Sequence, residues 1–315
     1  MLKQLSSLLL TCTLLLSLSV PTFGWNNQGH MMVAAVAYRL LDKATRDRVD
    51  VLLRLNPDFN NWQSLIPANA KTDDRRMMTF MIAATWPDRI KSNHDYHSDG
   101  PSGGNRPPSD GTANNNVGYS DFALHKYWHF VDRPFSQDGS ALPEIPEPNA
   151  ETRIIDFRKV LASESPDELK SYDLSWLLHL VGDVHQPLHC ITRITKMKPS
   201  GDDGGNGVKL KGNPNNLHSF WDDSLGNSNS PKAVQQIADA LKPAPVNAAS
   251  DLEVKDWIDE SFGAKSKVYA NPPIGKGTGP FTTTLEYKKN TGRLAKKRIA
   301  LAGARLARIL NQELK

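Results

Sequence analysis

Histidine and aspartate recur at helical spacing in two segments of the chain. His179 is followed four residues later by Asp183, and His218 is followed four residues later by Asp222. Residues four apart lie on one face of an α-helix, so the imidazole nitrogen and carboxylate oxygen of each pair can converge. Nitrogen and oxygen ligands of this kind suit a zinc ion. One such pair is often only a hydrogen bond, but two pairs in apolar helical segments favour metal binding.

Other histidine and aspartate residues occur where the chain can bring them to the same place. Pro187 interrupts the helical pattern after the first pair, so the histidine that follows, His189, can turn back over the preceding turns. Asp88 follows an apolar helical segment, and His129 lies among aromatic residues. A buried carboxylate is costly unless a cation pairs with it. Each residue alone could be a core histidine or a helix cap, but the set indicates a metal site.

The first 24 residues have the pattern of a secretory signal peptide. Lys3 supplies a positive charge, residues 8–20 form an apolar run, and a proline and small residues precede Trp25. The run is short for a membrane span, although an N-terminal membrane anchor is the alternative interpretation. We expect cleavage between Gly24 and Trp25, which gives a secreted or periplasmic protein without a membrane anchor.

Cleavage at this position would also create a metal ligand. The freed α-amino group of Trp25 would have a pKa of about 8, and once deprotonated it can chelate a metal together with its own carbonyl oxygen. His30 lies beside it at the start of the first predicted helix. Export and processing would then complete the site. The alternative is an ordinary mature terminus in which the tryptophan only packs.

The elements that must position these side chains are helices. Apolar residues recur at helical spacing in seven segments, which are 31–55, 75–86, 150–161, 174–184, 232–241, 252–268 and 292–310. A short helical piece is expected between Pro166 and Tyr172. Strand patterns are sparse, with a possible hairpin arm over 207–212, and residues 98–119 form a loop rich in Gly, Pro, Asn and Ser. With no break in composition, we predict a mainly α-helical single domain over 25–315.

The net charge argues against a general polyanion binder, and the cysteine content argues against an internal disulfide. A net charge of +4 is too small to indicate a general polyanion binder. Basic residues concentrate in the last predicted helix, at Arg293, Lys296, Lys297, Arg298, Arg305 and Arg308. A nucleic-acid-binding face is one interpretation, but a solvated basic face is favoured. There are two cysteines, Cys12 and Cys190, and the first lies in the signal segment, so no internal disulfide is expected.

In chain order, these residues resemble the motifs of the zinc-dependent single-strand-specific nucleases, the type I nucleases, which are often also 3′-nucleotidases. The matching segments are Trp25…His30, Trp86-Pro-Asp88, His129-Phe-Val-Asp132, His179-x3-Asp183-x5-His189 and His218-x3-Asp222. The fold of that family is similar to the fold of zinc-dependent phospholipases C. The resemblance therefore implies a mainly α, phospholipase C/nuclease-like fold with long loops around a trinuclear zinc cleft.

The resemblance also implies which residues hold the three zinc ions. The nine ligands fall into three sets, and Asp183 belongs to two of them: Asp88, His129, His179 and Asp183; His189, His218 and Asp222; and Trp25, His30 and Asp183. The remaining histidines, His94, His97, His125 and His185, match no motif and are expected to be structural.

Catalytic and substrate-binding roles follow from the same resemblance. Asp88 would orient the attacking water, and Lys91 would neutralise a non-bridging phosphate oxygen. Phe130 and Asp132 match a pocket in which an aromatic ring stacks on the base and a carboxylate accepts its N–H groups. Asn206 ends a Gly-Gly-Asn loop near the cleft.

Together these features predict a secreted trinuclear-zinc phosphodiesterase. It would hydrolyse single-stranded DNA and RNA to 5′-phosphate products, act on nucleotides as a 3′-nucleotidase, and be a monomer. One alternative is a zinc-dependent phospholipase C on the same fold, which would need an apolar rim that faces a membrane. The other is a non-enzymatic zinc-binding exported protein, which leaves Lys91, Phe130 and Asp132 without a role. Asp132 favours a nucleobase over a lipid headgroup.

Overall fold

The computed structural model describes residues 25–314. The predicted signal peptide and Cys12 lie outside the described residues. Helices dominate the described part and strands are short, so the predicted mainly α-helical fold class is confirmed. Nowhere between residues 25 and 314 does a helix combine the length and the apolar character that crossing a bilayer requires.

The helices, in chain order, are α1 (Asn27–Leu40), α2 (Lys43–Leu53), α3 (Phe59–Ser64), α4 (Thr72–Ala83), α5 (Trp86–Arg89), α6 (Pro101–Gly104), α7 (Ala150–Leu161), α8 (Asp167–Asp183), α9 (Leu217–Asp222), α10 (Pro231–Asp239), α11 (Val246–Ser250), α12 (Val254–Gly263), α13 (Lys265–Val268) and α14 (Leu285–Glu313). Short 3₁₀ turns span Ile90–Ser92, Thr112–Asn114, Gly118–Asp121, Lys126–His129 and Pro187–His189. Strands β1 (Pro134–Ser136) and β2 (Thr192–Ile194) pair in parallel, with Phe135 opposite Arg193.

Helix α8 runs through the centre of the core. Every residue from Ser171 to Asp183 is buried, as expected of a helix that neighbours surround on all sides. Helices α1, α2, α5, α7 and α14 pack against it. The short piece predicted before Tyr172 is the first part of α8, because the acidic first turn after Pro166 favours the helix start and nothing interrupts the backbone afterwards.

Several predicted helices have different bounds in the structure, and three of them show why. The segment 31–55 is divided at Leu41, where the backbone is extended, although this residue remains buried. The segment 252–268 is divided at Ala264 into α12 and α13. Helix α14 begins before the predicted residue 292, because the Thr284 side chain caps the backbone N–H of Tyr287. Periodicity detects a buried face, but capping determines where a helix begins.

The segment 207–212 does not form a strand of a hairpin. Lys209 makes one antiparallel bridge with Asn216, and Leu210 makes one parallel bridge with Phe281. The bridge to Asn216 is a local antiparallel contact of the kind predicted, but it is a single bridge, and the second partner, Phe281, comes from a distant part of the chain.

Two arginines of the last helix are buried, so the prediction of a solvated face was wrong for them. Arg298 and Arg305 are 6% and 0% exposed. Both donate to Glu260 on α12, and Arg305 Nη1 also lies 2.9 Å from Nε2 of His185. Arg298 Nε donates to the backbone carbonyl of His185 at 3.1 Å. These bonds fasten α12 and α14 to the C-terminal end of α8, where Asp183 lies.

His125 holds the segment 98–119 against the helical core. Its Nδ1 lies 2.6 Å from Oδ2 of Asp99, and its Nε2 lies 2.8 Å from Oδ2 of Asp121. The ring stacks on Trp128 with 3.6 Å between ring centroids. Burial by itself lowers the pKa of His125, but the two carboxylates raise it above the usual value of 6.5.

Replacing His125 by glutamine should destabilise the protein in a pH-dependent way. Because the folded pKa is raised, the histidine contributes stability that is fully present below pH 6.5 and is lost as the pH rises through the folded pKa. We expect the free energy of unfolding to fall by about 1.5 kcal/mol or more near pH 6, and by less near pH 9. Urea unfolding of both proteins at both pH values measures this, and an equal loss at both would contradict it.

Candidate metal centre

Six segments bring the predicted ligand side chains to one place at the end of α8. The eight side chains are His30 on α1, Asp88 on α5, His129 in a 3₁₀ turn, His179 and Asp183 on α8, His189 in the turn after α8, and His218 and Asp222 on α9. All eight are buried. They form three groups in which the ligand atoms lie within 4.8 Å of one another: His30, Asp88 and His179; His129, His179 and Asp183; and His189, His218 and Asp222.

Asp183 lies at the centre of the cluster. Its Oδ2 is 3.0 Å from Nδ1 of His129 and 3.2 Å from Nε2 of His179. Its Oδ1 is 3.4 Å from Nε2 of His30 and 3.6 Å from Nδ1 of His189. Ligand atoms about 2.05 Å from a tetrahedral ion lie about 3.3 Å apart. The distances from Asp183 to His129, His179 and His30 therefore fit ligands of shared ions, with Oδ2 facing the first two imidazoles and Oδ1 facing the third.

Asp88 completes the group nearest α5. Its Oδ1 lies 3.7 Å from Nε2 of His179 and 4.0 Å from Nδ1 of His129. The Lys91 ammonium group donates to the same oxygen at 2.7 Å, and both side chains are almost entirely buried. Burial raises the pKa of Asp88, but Lys91 and the nearby histidines outweigh it and bring the pKa down to about 2. This carboxylate is therefore ionised at neutral pH.

The third group lies between the turn after α8 and α9. Nε2 of His218 is 3.5 Å from Oδ2 of Asp222, and the rings of His189 and His218 are 5.0 Å apart. The side-chain amide of Gln186 donates to Oδ1 of Asp222 at 2.7 Å. Burial raises the pKa of Asp222 well above its ordinary value. A cation beside it would favour the ionised form.

Backbone carbonyl oxygens orient three of the imidazoles. Each pairs with an Nδ1: Ala84 with His179 at 2.8 Å, Gly204 with His218 at 2.7 Å, and His129 with His189 at 2.5 Å. A histidine that donates Nδ1–H to a carbonyl keeps Nε2 as the unprotonated ligand nitrogen, which is the usual arrangement around a metal.

The buried polar atoms of the cluster fit a metal centre. Several have no hydrogen-bond partner among residues 25–314: both ring nitrogens of His30, Oδ2 of Asp88, Nε2 of His129, Oδ1 of Asp183 and Nε2 of His189. Leaving such atoms buried without a partner costs about 1–3 kcal/mol each, whereas coordination would satisfy them. Three buried carboxylates with one lysine also need further positive charge. The donor set therefore fits zinc.

Two histidines of the cluster are neutral at physiological pH. Burial, together with His179, lowers the pKa of His30 to about 4. Burial, together with Lys91, lowers the pKa of His129 to about 3. Neutral imidazole is the form that coordinates a metal, so these residues need lose no proton to bind one.

Glycines allow the close approach of the segments, and the sequence prediction did not include them. A Cβ atom at Gly182 would lie 2.8 Å from Nδ1 of His30, and one at Gly29 would lie 2.6 Å from Cβ of Trp25. Trp25 itself is fully buried beside these residues. The sequence did contain a signal for this close approach, because a glycine directly precedes each of the predicted ligands His30 and Asp183. They place the first described residue next to His30 and Asp183.

A cavity of about 360 Å³ opens beside the third group of ligands. His189 and His218 line one part of it, and the predicted substrate-binding residues Phe130, Asp132 and Asn206 line another. Burial, with the nearby acidic side chains of 202 and 203, raises the pKa of Asp132 to about 8. At neutral pH this carboxyl is protonated, so it can both donate and accept a hydrogen bond.

The fold and the site together define a helical protein with a buried histidine–aspartate metal centre beside a ligand-sized cavity. The model of the S1/P1 nuclease family matches residues 25–315, and the chain belongs to that family. The chain is 24% identical to Endonuclease 2 of Arabidopsis thaliana over 328 residues, which cover 98% of each chain. It is 31% identical to Endonuclease 5 of the same plant over 48% of this chain and 55% of the relative.

The similarity extends to a fungal enzyme. The chain is 24% identical to Nuclease S1 of Aspergillus oryzae over 67% of this chain and 57% of that protein. These relatives and the family match confirm the family resemblance inferred from the sequence motifs. The protein is therefore a nuclease, and nucleic acids are its substrates.

Proposed function

We propose that this nuclease is a trinuclear-zinc phosphodiesterase that hydrolyses single-stranded DNA and RNA. The observation that carries the proposal is the convergence of eight buried histidine and aspartate side chains around Asp183, beside a cavity lined by Phe130 and Asp132. The sets of ligands are those implied by the sequence: Asp88, His129, His179 and Asp183; His189, His218 and Asp222; and Trp25, His30 and Asp183. Bound zinc would supply the positive charge that attracts a phosphodiester and would lower the pKa of water to roughly 7.

Asp88 and Lys91 would act on the attacking water and the phosphate. Oδ2 of Asp88 has no hydrogen-bond partner among residues 25–314, so it can accept a hydrogen bond from a water molecule and orient it. Lys91 donates to the other oxygen and keeps Asp88 ionised. Its ammonium group would also neutralise a non-bridging phosphate oxygen as negative charge develops there.

The cavity beside the cluster would select an unpaired base. A base must leave its stack to reach Phe130, and stacking on an aromatic ring contributes about 1–3 kcal/mol per base. Duplex DNA must first unpair, and the free-energy cost of unpairing opposes the gain from stacking. Asp132, which is protonated below pH 8, would contact the polar edge of the base. Asn206, which also lines the cavity, would contact the bound substrate.

The position of the cavity also bears on the products. Phe130, His189 and His218 line the same cavity, so a nucleoside held beside Phe130 would lie near these two histidines, and we infer that its 3′ oxygen is the leaving group. Cleavage of the bond between phosphorus and that oxygen leaves a 5′-phosphate on the next nucleotide. A terminal 3′-phosphate fits the same arrangement, which supports 3′-nucleotidase activity. No proposed step uses the 2′-hydroxyl, so DNA and RNA should both be cleaved.

The proposal includes the processing of the chain. Removal of residues 1–24 would leave a single nuclease domain over 25–315, secreted or periplasmic, with Trp25 as its first residue. We expect the mature protein to be a monomer without a membrane anchor.

Paired substrate assays test the proposal. The mature protein should contain about three zinc ions per chain and should cleave single-stranded DNA and RNA at least about tenfold faster than duplex DNA. Phosphatidylcholine should not be hydrolysed, and a chelator should abolish the nuclease activity. Hydrolysis of lipid alone would favour the phospholipase C alternative. Bound zinc without turnover of any of these substrates would favour the non-enzymatic alternative.

A further inference from the structure

A second cavity, of about 460 Å³, lies between α9, α13 and the first half of α14. Three exposed basic residues, Lys267, Arg293 and Lys297, line it together with Trp221, Tyr287 and Thr291. None of the residues that line it is acidic. The cavity shares no residue with the one beside Phe130.

The basic residues of this cavity have no close carboxylate partner among residues 25–314. No carboxylate of this part of the chain lies within 4.0 Å of the charged groups of Lys267, Arg293 or Lys297, and the basic residues of α12 and α14 that form ion pairs are Lys255, Arg298 and Arg305. Arg293 donates to the side-chain oxygen of Asn290 at 3.0 Å, which leaves its charge uncompensated. Three positive charges around a concave surface raise the electrostatic potential inside it, and this potential attracts an anion.

The floor of the cavity is held in place by hydrogen bonds. The indole N–H of Trp221 donates to the hydroxyl of Tyr287 at 3.0 Å, and that hydroxyl donates to the backbone carbonyl of Val268 at 2.5 Å. Thr291, which is 2% exposed, lines the cavity beside Tyr287. A rigid floor beside three cations suits a phosphate group, which accepts several hydrogen bonds.

The cavity is connected to the metal centre through α9. This helix has six residues, and its His218 and Asp222 side chains belong to the metal cluster, while Trp221 lines the second cavity. A polynucleotide bound at the metal centre has further phosphates along its backbone. We propose that the cavity at Lys267, Arg293 and Lys297 is a second phosphate-binding subsite, which takes a backbone phosphate of the nucleic-acid substrate away from the bond that is cleaved. The proposal rests on the nuclease function of the chain.

Charge-removing variants test the subsite. The variant K267Q/R293Q/K297Q removes its three charges, and K288Q/K289Q/K296Q removes three exposed charges of α14 that do not line the cavity. The assays measure kcat and KM on a single-stranded oligonucleotide of about 20 nucleotides, and on bis(p-nitrophenyl) phosphate, across a range of salt concentrations. We expect the subsite variant to raise KM for the oligonucleotide about tenfold at low salt. The slope of log(kcat/KM) against log salt should fall by about 0.7 for each lost phosphate contact.

The control variant and the small substrate separate the possible outcomes. The small phosphodiester occupies the metal centre alone, so its kcat/KM should be unchanged in both variants. The control should alter the oligonucleotide KM by less than about twofold. An equal effect of both variants would overturn the proposal in favour of bulk charge, and loss of activity on the small substrate would overturn it in favour of a structural effect on α9. Unchanged oligonucleotide kinetics would also overturn it. If the unmodified protein cleaved neither substrate, the nuclease function itself would fail.

Discussion

Replacing Asp183 by asparagine is expected to lower nuclease activity by about 10³-fold or more. A loss of this size is typical when a group that stabilises the transition state electrostatically is removed. The two oxygens of this residue lie 3.0–3.6 Å from nitrogens of four histidines, and it belongs to two of the three proposed ligand sets. Asparagine has the same shape but lacks the negative charge and presents an N–H₂ group to ligand nitrogens. We therefore expect the zinc content of the purified protein to fall together with activity, which metal analysis by mass spectrometry measures.

The matched control for this variant is Asp173→Asn, on the same helix. Asp173 is also buried, and burial raises its pKa to about 8, so it is already uncharged at neutral pH. Its carboxyl group pairs with Asn116 and lies outside the three candidate metal groups. The control should therefore keep its zinc and most of its activity. Full zinc content and activity in the Asp183 variant would contradict the shared-ligand arrangement.

A chain that keeps one additional residue before Trp25 is expected to bind about two zinc ions instead of three. The extra peptide bond converts the α-amino group into an amide, which is neither basic nor free to coordinate. Trp25 is fully buried and lies beside Gly29, with His30 one residue further along α1. Activity should fall by about 10²-fold or more. This loss is at least as large as the loss that follows when a group hydrogen-bonded to a metal ligand is removed. Zinc analysis and kcat on bis(p-nitrophenyl) phosphate measure the two effects.

The control separates the role of the amino group from the role of the indole ring. Trp25→Phe keeps a free amino group and an aromatic side chain, and should therefore keep three zinc ions even if it lowers stability. Loss of zinc in this variant with retention in the extended chain would show that packing, and not chelation, is what the terminus provides. The N-terminal residue of each protein should be verified by mass spectrometry.

Much of the fold and of the candidate site could be predicted from local sequence. The pairs His179/Asp183 and His218/Asp222 depend on helical spacing alone, and both lie on helices in the structure with their side chains turned to the cluster. The predicted bounds of α7, 150–161, agree with the structure, in which the Asn149 side chain caps the start of the helix. The division of the first predicted helix at Leu41 was missed, since a buried apolar residue continues the pattern through the corner.

Other features depend on residues that are far apart in the chain. The neighbours of Gly182 and the lining of both cavities follow from packing, which local periodicity does not encode. The arginines of α14 illustrate this best. Their spacing is that of a solvated face, but Arg298 and Arg305 are buried because Glu260 on α12 neutralises them. Arg293 and Lys297, on the same helix, remain exposed at the second cavity.

The sequence by itself determined the helical class, the candidate ligands and the two histidine–aspartate pairs. These features depend on residue type and on the 3.6-residue repeat of a helix. The tertiary structure decided that both oxygens of Asp183 face the other ligands and which basic residues of α14 are neutralised. It did so because the energy of a charge depends on the groups that surround it in space, and those groups come from helices at opposite ends of the chain.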